Sequence, residues 1–304
     1  MSTKKCYEVI IVGGSYSGLA AAMALGRALR KVLVIDSGLP CNSQTPQSHN
    51  FLTQDGQPPK EIASLAKQQV SLYDTVEFLN DLAIKGVKTE NGFEIQTQSG
   101  KLFAAKKLIF ATGIKDVMPS IQGISECWGI SVLHCPYCHG YEVRGMATGI
   151  LVNGDGGFEL AQLISNWTKD ITLFTQGRAT FTPEQMAALL SHNIRLEEKE
   201  IQRIEHTEGR IKYIAFKDDS KLEIKALYAR LPFIQHCTIP EQLGCILTED
   251  GYLKVDAMQK TSIHGIYACG DNASRMRTVA NAVSMGTIAG MMVNKELVEE
   301  HFTI

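Results

Sequence analysis

The chain has 304 residues, 44% of them hydrophobic and 20% charged, with a formal net charge of −2. That length buries one large or two medium cores, and the mixed, near-neutral charge leaves no basic tract for nucleic acid or an anionic membrane. No apolar run is long enough to span a bilayer, the polar start is not a secretion signal, and eight cysteines outside a secretory context argue against a disulfide framework. A soluble, cytoplasmic protein is expected.

The first predicted element is the β-branched strand Val9-Ile10-Ile11-Val12, typical of a parallel strand buried on both faces. It meets Gly13-Gly14-Ser15-Tyr16-Ser17-Gly18, a helix rich in Ala, Leu and Met from Leu19 to about Leu29, and a second strand, Val32-Leu33-Val34-Ile35, ending at Asp36. Strand, glycine turn, helix, strand and terminal acid make a dinucleotide-binding βαβ unit. Gly13 permits the tight turn and Gly18 the close packing of helix on strand, while Ser15 stands where the middle glycine is usual. The helix N-terminus is suited to a pyrophosphate, and Asp36 to ribose hydroxyls.

Residues 40–60 are polar and turn-rich, around Ser48-His49-Asn50-Phe51 and Pro58-Pro59. A loop of that length in a compact enzyme is expected to wall a flavin or a substrate. An amphipathic helix from about Lys60 to Tyr73 follows, then hairpin signals at Asn91-Gly92 and Ser99-Gly100. The buried strand Lys107-Leu108-Ile109-Phe110 ends in Ala111-Thr112-Gly113, small residues that let backbone approach a cofactor.

Beyond Pro119 comes His134-Cys135-Pro136-Tyr137-Cys138-His139-Gly140-Tyr141-Glu142. Two thiols at i and i+3 can close a reducible disulfide, and a helix N-terminus there would favour the thiolate. The competing reading is half a zinc site, but Cys237 and Cys245 are spaced too widely to supply the second pair. The remaining cysteines stand alone and read as small buried hydrophobes. A second βαβ unit runs through Gly149-Ile150-Leu151-Val152, Asn153-Gly154-Asp155-Gly156-Gly157-Phe158-Glu159, a helix, and Ile171-Thr172-Leu173-Phe174. It looks degenerate: Glu159 falls at the third fingerprint position, and Thr175-Gln176-Gly177-Arg178 carries neither the acid that selects NAD nor an arginine cluster for a 2′-phosphate. Residues 194–233 read as β-rich. The last strand, Ile266-Tyr267-Ala268-Cys269, ends at Gly270-Asp271, before a small-residue helix from about Val279 to Lys295.

In this order, Gly13 to Gly18, Asp36, Asn50, Ala111-Thr112-Gly113, Cys135-Pro136-Tyr137-Cys138, Gly154-Asp155-Gly156 and Gly270-Asp271 resemble the low-molecular-weight thioredoxin reductase family over nearly the whole chain. The resemblance implies an α/β fold of two Rossmann-like, three-layer ββα domains, the second inserted in the first. Residues 1–115 and 236–304 would bind FAD, and 116–235 would form an NAD(P)H-type domain carrying the redox pair. It implies a homodimer in which Cys138 exchanges electrons with the flavin and Cys135 attacks the substrate's sulfur. FAD contacts would fall to Gly13, Ser15, Gly18, Asp36, Asn50, Thr112, Gly113, Gly270, Asp271 and Ala282; no metal is implied.

Two departures bear on direction. His139 stands where a typical reductase has an acid directly after its second cysteine; an imidazole can still shuttle the thiol proton, with His134 as a second candidate. This version is similar to the gliotoxin- and holomycin-type dithiol oxidases, in which electrons pass to oxygen. The arginine-bearing NADPH motif is also absent. The expected function is therefore FAD-dependent thiol–disulfide exchange through Cys135 and Cys138, with a thioredoxin-like protein or a small dithiol or disulfide as partner. A reductase needs NADPH, NADH or a ferredoxin-type donor; an oxidase needs only oxygen. An FAD-binding redox sensor without catalysis is the reading from another class.

Overall fold

A computed structural model describes residues 5–302. It separates into two compact units, one of residues 1–43, 51–115 and 233–304, the other of residues 44–50 and 116–232.

The first unit is built on a seven-stranded sheet. Lys5–Val12, Val32–Asp36, Val76–Asn80, Leu102–Phe110 and Ile266–Ala268 pair in parallel, while Ala83–Thr89 and Gly92–Thr97 extend it antiparallel from Leu102–Phe110. The parallel strands are continuous apolar runs because both faces are covered: Val9, Ile10, Ile11, Val34, Leu108 and Ile109 are fully buried. Two helices, Tyr16–Arg27 and Val279–Phe302, cross on one face. A Cβ on Gly286 would fall on the Ser17 carbonyl oxygen, and one on Gly290 would lie 2.6 Å from that of Ala21, so glycine at both positions sets how closely the helices approach. The last helix runs past the expected Lys295 to Phe302 and is pinned there by charge. Buried Lys107 on the sheet pairs with Glu296 (2.6 Å) and with Glu300, while Lys260 (2.8 Å) and the Tyr267 hydroxyl (2.8 Å) also donate to Glu296.

The second unit has a five-stranded parallel sheet in the order Arg195–Glu197, Ile171–Phe174, Thr148–Leu151, Ala226–Ala229, Val132–Leu133. Helices Gly154–Ile164 and Pro183–Ser191 belong to it. Thr182 and Gln185 close a capping box at the start of the second helix. An antiparallel sheet of Ile201–Thr207, Arg210–Phe216 and Lys221–Glu223 buries Ile204, Ile211, Ile214 and Phe216 against Ile124, Cys127 and Trp128. Both units are Rossmann-like α/β folds. No helix among the described residues is long and apolar enough to cross a membrane.

The second glycine turn corrects one expectation. Gly18 lies five positions after the strand-end residue Gly13, and its Cβ would fall on the Gly13 carbonyl oxygen; Gly157 stands in the same relation to Val152, with its Cβ position 2.6 Å from that carbonyl. Gly157 therefore takes the helix-against-strand position, and Glu159 does not. Glu159 lies outside, two-thirds exposed, with its carboxylate 3.1 Å from Arg230. The fingerprint of this unit thus runs Val152, Gly154, Gly157, two residues earlier than a count that begins at Gly154.

Candidate active site

Within the first unit, the carboxyl ends of the central strands bring together most of the residues expected to hold a dinucleotide. Gly13 has φ +105°, and a Cβ there would fall on the Ala111 carbonyl oxygen, so only glycine allows the turn to pass the Ala111-Thr112-Gly113 strand end. The Gly14 amide donates to Asp36 Oδ1 (3.1 Å). Ser15 is the N-cap of Tyr16–Arg27 in an extended conformation with no side-chain capping bond, leaving the helix N-terminus presented by backbone. Gly270 has φ +88° and sits against the Ser17 side chain. Asn272, wholly buried, donates through Nδ2 to the Phe110 carbonyl (2.9 Å) and to Thr112 Oγ1 (3.2 Å), tying the Gly270-Asp271 turn to the neighbouring strand end. Its Oδ1 is buried with no hydrogen-bond partner among the described residues. Gly113 has φ +63° and open space where a side chain would stand. A glycine turn with no room for side chains, a helix N-terminus, an acid on the second strand and an exposed strand end fit the pyrophosphate, ribose and ring of FAD.

Two expected residues behave differently. The Ala282 amide donates to the Thr278 carbonyl (3.0 Å), so its hydrogen bond is used inside the helix. What Ala282 offers is small bulk, buried with Tyr16 and Ile62. Asn50, at φ +60°, lies in the segment that clusters with the second unit. Arg277, not identified from the sequence, places Nε 3.6 Å from the Asp271 carboxylate, and the Cys41 thiol lies 4.0 Å from the same group. A lone arginine in a polar loop carries no spacing signal, so the sequence does not mark it.

In the second unit Cys135 and Cys138 are joined as a disulfide, with Cα atoms 5.3 Å apart. Cys135 caps a single helical turn, Pro136–His139, and its sulfur accepts from the Cys138 amide (3.1 Å). With one turn only, the macrodipole expected from the sequence is small, and what acts on Cys135 is that one amide. Gly140 ends the turn where a Cβ would lie 2.5 Å from the Pro136 carbonyl oxygen and 2.9 Å from the Trp167 ring. Trp167 also meets Tyr137 edge to face at 5.6 Å. Tyr137, between the cysteines, is 63% exposed, while Pro136 is buried and both cysteines are half-buried.

The two flanking histidines part company. His134 lies against the Trp128 ring, centroids 6.0 Å apart. His139 faces His49, centroids 6.5 Å apart and rings nearly perpendicular, and His49 Nε2 is 3.6 Å from the Glu142 carboxylate. Burial pushes the His139 imidazole below its ordinary value, the His49 charge pushes it further down, and Glu142 opposes both. A neutral imidazole beside the dithiol is the form that accepts a thiol proton. His49 was visible in the sequence only as part of a polar loop; nothing in its spacing ties it to His139, nearly a hundred positions later. The other buried thiols are held out of this chemistry: burial pushes Cys127 and Cys237 up to about 11 and Cys269 up to about 12, so they stay protonated near neutral pH.

The glycine turn of the second unit is laced to the loop after Phe174. Asn153 Oδ1 accepts from the amides of Gly154 (2.8 Å) and Thr180 (3.0 Å), and its Nδ2 donates to the Arg178 carbonyl (2.9 Å). Beside it, a cavity of about 450 Å³ is lined by Leu151, Asn153, Thr175, Gln176, Glu200 and Lys217, the last two being an ion pair.

Comparison with known proteins agrees with this geometry. Residues 7–286 match the family described as pyridine nucleotide-disulphide oxidoreductase. The chain is 32% identical to thioredoxin reductase tcpT of Claviceps purpurea (strain 20.1), over 99% of its own length and 97% of the relative's. It is 30% identical to thioredoxin reductase aclD of Aspergillus oryzae (strain ATCC 42149 / RIB 40), over 96% of each. The crystal structure of an oxidoreductase from Agrobacterium tumefaciens superposes with a TM-score of 0.91 at 32% identity, covering 96% of this chain and 99% of the other. A glycine cradle suited to FAD, a closed Cys135–Cys138 disulfide and these matches along the whole chain make it a member of the pyridine nucleotide-disulphide oxidoreductase family, a thioredoxin reductase-like, FAD-dependent disulfide oxidoreductase.

Proposed function

We infer that Cys135 and Cys138 are the exchange pair of this flavoenzyme and that its partner is a thioredoxin-like protein or a small dithiol or disulfide. The observation that carries the reading is the closed Cys135–Cys138 bond on a half-buried turn, with His139, its imidazole pushed below its ordinary value, next in the chain. Bound in the first unit, FAD supplies a two-electron store for the pair. Gly13, Ser15, Gly18 and Asp36 would hold its pyrophosphate and ribose. Thr112, Gly113, Gly270, Asp271 and the small side chain of Ala282 would line its ribityl chain and ring.

In the oxidising direction a substrate thiolate attacks Cys135 Sγ, breaking the Cys135–Cys138 bond and forming a mixed disulfide, while Cys138 leaves as thiolate. The substrate's second sulfur then attacks the first, releasing Cys135 and closing the substrate disulfide. His139 takes the substrate's thiol proton; in the reducing direction it returns one. The enzyme is read as a homodimer, as the resemblance of its motifs implies.

The donor divides two forms of this reading. The loop 175–180 lacks a cluster of arginines for a 2′-phosphate, and Asn153 bonds that loop to the glycine turn, which favours an electron route other than NADPH at this unit. Anaerobic mixing of the purified holoenzyme with NADPH, then NADH, then dithiothreitol, followed by flavin absorbance, separates the two. Bleaching by dithiothreitol alone, with reoxidation by air, is the expected result for a dithiol oxidase. Rapid bleaching by NADPH makes it a reductase, and bleaching by none of the three overturns dithiol–flavin exchange.

A further inference from the structure

His49 and Glu142 lie outside the residues read from sequence as catalytic, yet they are the charged groups that meet His139. They come from different places in the chain. His49 arrives on residues 44–50, a short segment that packs with residues 116–232 although it is far from them in sequence. Glu142 arrives on the exposed turn just beyond the redox pair. His49 is set edge-on to His139 and within 3.6 Å of the Glu142 carboxylate, its side chain only 16% exposed while that of Glu142 is 37% exposed. The order is thus half-buried imidazole, nearly buried imidazole, solvent-touching carboxylate. The Tyr228 hydroxyl is buried with no hydrogen-bond partner among the described residues, and the Glu142 charge acts on it as well.

Resting on the reading that His139 is the acid–base group of the Cys135–Cys138 pair, we propose that His49 and Glu142 are positioning residues that complete a proton path from the dithiol to solvent, His139 to His49 to Glu142. Each turnover in the oxidising direction converts a substrate dithiol and the enzyme disulfide into a substrate disulfide and the Cys135/Cys138 dithiol. Two electrons pass from the substrate sulfurs to the enzyme sulfurs, one S–S bond breaks and one forms, and the two protons of the substrate thiols have to be carried to Cys135 and Cys138 or to water. A lone imidazole in a half-buried position holds one proton and must discharge it before it accepts the next. A second imidazole at its edge, with a carboxylate reaching water, provides that discharge. The same path run backwards delivers protons to a departing substrate thiolate.

The test uses the FAD-loaded full chain with dithiothreitol as the dithiol, and the variants His49→Gln, Glu142→Gln and His139→Asn. Two quantities are followed: the single-turnover rate of flavin bleaching, and the titration of each histidine by NMR of the imidazole carbons. The charged groups that act on His139 are His49, which lowers its midpoint, and Glu142, which raises it, so the two charge removals should act in opposite senses. His49→Gln should raise the His139 titration midpoint by removing a neighbouring positive charge, and Glu142→Gln should lower it. Both should slow bleaching by about tenfold, below the ~10²–10⁴-fold of a direct acid–base group, as His139→Asn should show. A purely structural role would move both midpoints the same way or leave them fixed. If His139→Asn is slow while the other two bleach at the wild-type rate, the relay is overturned and His139 acts alone. If His139→Asn also bleaches at the wild-type rate, the acid–base reading itself falls, and the relay with it.

Discussion

Replacing Cys138 with Ser removes the sulfur that closes the Cys135 bond while leaving the glycine cradle of the other unit untouched. The Cys138→Ser chain should purify with its full complement of FAD and show no dithiol-dependent turnover, measured as flavin bleaching and as product disulfide. Retained turnover would remove the pair from the mechanism. Gly18 gives the complementary residue-level case. A Cβ there would fall on the Gly13 carbonyl oxygen, and backbone cannot rotate away as a side-chain end can. Gly18→Ala should cost about 1–3 kcal/mol in overpacking and lower the flavin-to-protein ratio on purification, whereas Gly113→Ala, with open space at its Cβ, should be penalised only for its positive φ. Gly18 was legible from the fingerprint alone, because crowding at that step follows from local chain geometry. Gly157 was not: the second turn has Val152 where the first has Gly13, and counting from the visible glycines misplaces the register until the carbonyl it packs against is located.

The last helix shows how one element is fastened by charge. Glu296 is nearly buried; burial pushes its carboxyl up, but donation from Lys107, Lys260 and Tyr267 outweighs this and holds it at about 2, against an ordinary value of 4.5. A carboxyl depressed on folding contributes stability that is fully present above its unfolded value and is lost as pH falls through the folded one. The contribution should therefore drain between about pH 4.5 and 2. Glu296→Gln should destabilise the fold by about 3 kcal/mol, since it leaves the buried Lys107 ammonium without its main partner, and should flatten the acid limb of a urea-melt series run from pH 6 to 2. An unchanged limb would mean that other carboxylates dominate acid unfolding. Nothing in the sequence pairs Lys107 with Glu296; they are 189 positions apart and meet because a parallel sheet brings its strands under the returning helix.

At the scale of the molecule, the chain leaves its first unit twice and returns, and the chemistry is divided accordingly: the FAD-type cradle is assembled from segments near both ends, the dithiol from the middle. The donor experiment belongs here, because it asks which of two nucleotide folds takes part. The first ties its glycine turn to Asp36 on its second strand through the Gly14 amide; the second ties its turn to the following loop through Asn153. Asn153→Ala would test the lacing directly. Freed of it, the chain should bind NADPH or NADH more tightly by titration if the loop is what excludes them, and equally poorly if the absence of a phosphate-binding arginine decides.

What the sequence determined by itself are the features written in short-range spacing: two βαβ units from apolar runs and glycine turns, the i, i+3 cysteines, the acid at Asp36. These are legible because strand pairing, tight turns and small disulfides constrain residues a few positions apart. The tertiary structure decided what depends on residues brought together from afar. It joined Asn272 to Phe110 and Thr112, Arg277 to Asp271, and Lys107 to Glu296. It also placed His49 against His139 and Glu142. Side chains on loops are free of helical or strand periodicity, so no pattern marks their partners, and only the folded path of the chain selects them.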